Sequence, residues 1–149
     1  MGKSAHINEI HPNTITKALN GEVITVEELK FGINKDLDKS WMVMHSIFQE
    51  FGPPLKYTII GDSIHPLSPE KLDDLIENKS EFYIGFMSPS LVKDVSKELE
   101  KISSHNLNEL YKKHDEEFDE YNMSYFSNLR EIYSYAAKNE SALYICASI

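Results

Sequence analysis

The chain has 149 residues, of which 41% are hydrophobic and 11% aromatic, enough for one core that needs no disulfide or structural metal. Its formal net charge of -9 sets it against DNA, RNA and anionic lipid, partners that reward clustered Lys and Arg through counterion release. Cys146 is the single cysteine, which excludes an internal disulfide and any multi-cysteine zinc or iron–sulfur site.

No apolar run approaches the roughly 20 residues that crossing a bilayer requires, and the N-terminus lacks the basic-then-apolar order of a secretory signal. The expected location is the cytoplasm. The expected organisation is a single domain over residues 1–149, of the α+β class, with a small mixed sheet packed against several helices.

Ser4 to Ile10 reads as a short strand, after which Pro12 at the first helical position opens a helix with Ile15, Ala18 and Leu19 on its apolar face and Gly21 as its stop. Thr25 and Glu28 have the capping-box spacing that opens a second, brief helix. The next helix is expected from about Asp38 to Phe51, with Asp36 or Asp38 accepting its first amides and Gly52-Pro53-Pro54 ending it. Trp41, Met44, His45, Ile47, Phe48 and Phe51 recur on it at three- and four-residue steps, the spacing of a broad buried stripe.

Tyr57 to Ile60 has the β-branched and aromatic character of a strand, followed by turn chemistry at Gly61-Asp62-Ser63. Ser68-Pro69 and Ser88-Pro89 each pair a cap with proline at the first helical position. The first would open a helix carrying Leu72, Leu75 and Ile76, and the second one carrying Leu91, Val92, Val95, Leu99 and Ile102. Phe82 to Phe86 is expected to be a strand between them. From His105 a polar helical stretch leads into the acidic run Asp115 to Glu120. A long helix follows, its buried line running through Tyr121, Tyr125, Leu129, Ile132 and Ala136, widened by Phe126 and Tyr133. Ala142 to Ala147 is apolar almost throughout, as suits a central strand.

Few residue patterns suggest chemistry. Trp41 and His45 stand one turn apart on a helix face, and with Asp36 and Asp38 they outline a pocket in which His45 would act as a general base. A core-edge histidine fits the same pattern, and no nucleophile lies nearby. The remaining histidines have no zinc-binding helical spacing, and Gly61 and Gly85 do not form a phosphate loop, so neither metal nor cofactor is expected. Asp115, Glu116, Glu117, Asp119 and Glu120 are the densest charge of one sign in the chain. With Phe118 among them they have the composition of a contact surface for a basic partner, although a solvated helix end has the same composition.

The segment Asp36-Leu37-Asp38-Lys39-Ser40-Trp41 through His45 resembles the acid-x-acid-Lys-x-Trp helix start of the YfbM-like family, small bacterial proteins of unknown function. Phe86-Met87-Ser88-Pro89-Ser90-Leu91-Val92 is similar to that family's aromatic-x-Ser/Thr-Pro-x-x-Val entry, and Tyr125-Phe126 to Leu129, Tyr133 and Ala136-Ala137 to its closing helix. Two departures are Gly61-Asp62, where a Gly-Gly turn is usual, and His65 to Lys79, which looks inserted. The resemblance implies a single α+β domain and carries over no catalytic residue. Some members resemble immunity proteins encoded beside polymorphic toxins. That implies a non-enzymatic, cytoplasmic inhibitor whose partner is a cognate toxin, with Asp115 to Glu120 as its contact surface and no nucleic acid or membrane partner. The alternative is a small cytosolic enzyme or ligand-binding domain using the pocket near Trp41 and His45.

Overall fold

The structure, a computed structural model, describes residues 4–20, 22–61 and 82–148. In chain order these form β1 (Ala5–Ile10), α1 (Pro12–Leu19), α2 (Val26–Leu29), β2 (Asn34–Asp38), α3 (Ser40–Phe48), a 3₁₀ turn (Leu55–Tyr57), β3 (Phe82–Met87), α4 (Pro89–Glu100), α5 (Ser104–Lys113), α6 (Glu120–Lys138) and β4 (Ala142–Ser148). The helix expected at Ser68-Pro69, the Asp62-Ser63 turn and Gly21 lie outside the described residues.

Most helix starts follow from local chemistry. Thr25 and Glu28 exchange both bonds of the capping box, and Ser88 accepts from the Leu91 amide ahead of Pro89. His11 caps α1 by accepting from the Asn13 amide through Nδ1 at 3.1 Å.

The strands form an α+β fold around a four-stranded sheet of order β2-β1-β4-β3. Every neighbouring pair is antiparallel, so the sheet is not mixed as the sequence suggested. β4 is central, as its composition predicts. Alternation along it assigns Leu143, Ile145 and Ala147 to the face covered by α3 to α6, where they join Ala5, Ile7, Trp41, Val95, Leu129 and Tyr133 in the main core. Ala142 turns to the other face and packs with Ile10 and Ile15 of α1.

Two segments depart from the sequence-based expectation. Asn34–Asp38 is an edge strand, so Asp36 and Asp38 do not cap α3; Lys39 stands at the cap without a side-chain bond. Only Leu37 of that strand is buried, and pairing with β1 overrides the local preference of its charged residues. Thr58, Ile59 and Ile60 are fully buried after the 3₁₀ turn and form no strand: Thr58 Oγ1 donates to the Leu55 carbonyl at 2.6 Å, and the buried Tyr133 hydroxyl donates to the Thr58 carbonyl at 2.6 Å. A short apolar run signals burial without fixing the backbone.

Gly61 ends this segment at φ +97, where a Cβ would come within 2.2 Å of the Phe86 carbonyl oxygen in β3. Gly61→Ala is therefore expected to lower stability by about 2 kcal/mol or more. It should appear as a fall in the urea midpoint with an unchanged m-value.

Candidate functional site

α5 ends where the acidic run begins. Asp115 has φ 57, with its amide donating to the Lys112 carbonyl at 3.0 Å and the Glu116 amide to the Tyr111 carbonyl at 2.8 Å. This is a Schellman turn with aspartate in the position usually given to glycine. Phe118 turns inward, its ring 4.9 Å from Tyr111 and 6.4 Å from Phe126, and packs against the main core. Asp119 caps α6 by accepting from the Asn122 amide at 3.0 Å, and Asn122 Nδ2 donates to the Glu117 carbonyl at 2.7 Å.

Of the six residues expected to contact a partner, Phe118 and Asp119 thus serve the fold directly and Asp115 supplies a turn. Asp115, Glu116, Glu117 and Glu120 are exposed, and none has an ion pair among the described residues. Burial and the nearby carboxylates of Glu116 and Asp119 hold the Tyr111 phenol well above its usual range.

The four residues of the expected pocket do not share an opening. Trp41 is 0% and His45 3% exposed, whereas Asp36 is exposed and Asp38 half-buried at the end of the edge strand. Asp38 has φ 44, and its amide donates to Asp36 Oδ1 at 2.8 Å. His6 Nδ1 lies 4.0 Å from the same oxygen, the far limit of an ion pair.

Sequence reasoning missed what lies beside these acids. The Tyr121 hydroxyl donates to Asp38 Oδ2 at 2.8 Å, and the Tyr121 ring meets Tyr125 edge-on with centroids 4.8 Å apart. Asn128 of the same helix donates to the Asp36 carbonyl at 3.0 Å. The buried stripe of α6 therefore runs through Asn122, Phe126, Leu129, Ile132, Tyr133 and Ala136, with Tyr121 outside the core and Tyr125 at its edge. Their i, i+4 spacing looks like core packing, yet each phenol reaches a polar edge when turned outward. Tyr121 joins the two acid groups into one surface, from Asp36 and Asp38 across the start of α6 to Glu120 and Glu117.

Desolvation, followed by the hydrogen bond to Asp38, pushes the Tyr121 phenol up to about 12. Burial, followed by the charges of Asp36 and Asp38, raises Tyr125 as well. A folded-state value above the unfolded one favours the folded state below pH about 10, and the contribution disappears as pH rises toward 12. An ultraviolet phenolate titration should lose one late-ionising group in Tyr121→Phe, and the stability difference between the two proteins should shrink over that window. Asp115→Gly, which relieves the left-handed turn, is expected to add about 0.5–1 kcal/mol in chemical denaturation.

Among the described residues no group of three or more His, Cys, Asp or Glu side chains is placed to hold a metal ion, and no helix is long and apolar enough to cross a membrane. No curated protein matches the chain. Among solved structures, a protein of unknown function, YfbM from Escherichia coli, is similar in fold at 16% identity and a TM-score of 0.58, over 97% of this chain and 99% of that one. The family model described as a domain of unknown function, DUF1877, matches residues 1–146. The chain belongs to that family, DUF1877, and shares the YfbM fold.

Proposed function

We propose that this protein is an immunity-type inhibitor: it binds a cognate antibacterial toxin through a stoichiometric contact and occludes it, without chemistry of its own. The observation that carries the reading is the surface joined by the Tyr121–Asp38 bond. It presents exposed carboxylates of Asp36, Glu117 and Glu120 beside two aromatic rings. Glu117 and Glu120, which have no ion pair among the described residues, are placed to speed the approach of a basic protein and to pair with its Lys and Arg on contact, and tyrosine supplies amphipathic area at little entropic cost. A net charge of -9 favours a partner that is basic at its contact face and disfavours nucleic acid or membrane. The near-complete burial of Trp41 and His45 withdraws support from a ligand pocket between them.

Affinity capture from the bacterium that carries the chain should yield one stoichiometric partner, toxic when produced alone. Reversing two charges, with Glu116→Lys and Glu117→Lys together, should weaken that complex about tenfold at low ionic strength and much less in about 0.5 M salt. His45→Ala should cost stability and leave the affinity of the folded fraction unchanged. No partner, or an affinity indifferent to the double reversal, overturns the reading of this surface.

A further inference from the structure

A cleft of about 450 Å³ opens where the segment between α3 and the 3₁₀ turn, that turn, the end of α4 and the middle of α5 meet. Its apolar wall comprises Leu55 and Ile102, both buried, with Phe51 and Leu110 half-buried beside them. The wall is firmly held. Arg130 of α6 donates through Nε and Nη2 to the Leu99 carbonyl at 3.1 and 2.9 Å and also to the Ile102 carbonyl, while its guanidinium lies 5.2 Å from the Phe126 ring centre. These bonds reinforce the Leu99 carbonyl, which also accepts from the Ile102 amide at 3.3 Å, and give the Ile102 carbonyl just past α4 a donor.

The rim is charged and unbalanced. Glu98 pairs with Lys101 at 2.9 Å, which engages the only cation among the described residues that line the cleft. Glu109 on the opposite side is exposed and has no ion pair among the described residues. The volume suits an organic group, since such sites usually measure about 300–1,000 Å³. An apolar wall with one unbalanced carboxylate at its mouth complements an apolar body that carries a positive charge beside it.

We infer that this cleft is the anchor site for a segment of the basic protein partner, taking a large apolar side chain whose neighbour in the partner's sequence is lysine or arginine. The inference rests on the reading that the chain binds a basic protein. Helix α5 supports it by lining the cleft with Asn106, Glu109 and Leu110 and leading directly into the acidic run. The apolar side chain fills the cleft and excludes water from its wall, and the cation reaches Glu109. Interface energy is commonly concentrated in such an anchor, with charges around it setting selectivity.

The test is an amide-shift NMR titration of the full chain with three blocked tetrapeptides. One carries phenylalanine followed by lysine, one has glutamate in place of that lysine, and one has alanine in place of that phenylalanine. The phenylalanine–lysine peptide is expected to shift the amides of Phe51, Leu55, Ile102 and Leu110 saturably and to bind about tenfold more tightly than either control. Glu109→Lys, at an exposed position that leaves the fold intact, should invert the preference between lysine and glutamate peptides. Asn106→Trp, which crowds the mouth, should abolish the shifts. The inference is overturned if the phenylalanine–lysine peptide gives no saturable shift at these amides, or if it and the glutamate peptide bind equally. Failure here alongside a partner complex sensitive to the Glu116 and Glu117 reversal removes the anchor alone. Peptide binding alongside a complex insensitive to that reversal removes the surface proposed above and keeps the anchor.

Discussion

β4 is hydrogen-bonded on both sides, and through it residues 5–10 and 82–87 belong to one sheet. Its pairing with β1 joins segments separated by most of the chain, a contact whose loop-closure cost must be met by burial. That burial is supplied by Leu143, Ile145 and Ala147, which have no exposed area beneath the helices. Entry into β4 is set by the end of α6. Glu140 takes φ 55, the Ser141 amide donates to the Ala136 carbonyl at 2.9 Å, and only residues 139–141 separate the helix from the strand. Asn139 at the same turn donates to the buried carboxylate of Glu9 in β1 at 3.2 Å. Helix termination and sheet closure are thus linked through one turn.

The same helix positions the surface at its other end. Asp119 caps it, and Phe118 pins the preceding loop to the core between Tyr111 and Phe126. Once α6 is fixed at both ends, Tyr121 has little choice but to stand beside the edge strand, where Asp38 accepts its hydrogen bond. The acidic face depends on the core in this sense: its geometry comes from residues that a partner never touches. At the far side of the helical layer, Arg130 performs a comparable task for the wall formed by Ile102.

Legibility in the sequence followed the range of the interaction. Caps at Thr25 and Ser88, the proline entries of α1 and α4, and the central strand could be read because each depends on neighbours within a few residues or on composition alone. Asn34–Asp38 was illegible as a strand because pairing with β1, not its own charged residues, makes it one. Tyr57 to Ile60 was misread because burial and strand share the same β-branched signature. On the candidate site, the acidic run was visible as charge, but the inward turn of Phe118 and the capping role of Asp119 were not. The bond from Tyr121 to Asp38 crosses 83 positions and leaves no local trace.

The run from Asp115 to Glu120 divides its labour by position. Phe118 and Asp119 are tied into packing and capping, whereas the side chains of Glu116, Glu117 and Glu120 stand free of internal bonds among the described residues. Exposed side chains of that kind can be replaced with little change in folding free energy. Such a stretch can drift in specificity, exchanging one set of contacts for another over evolutionary time, while its two buried or capping members keep the loop in place. A lineage of these proteins would diversify by rewriting the letters between the anchors, without rebuilding the scaffold beneath.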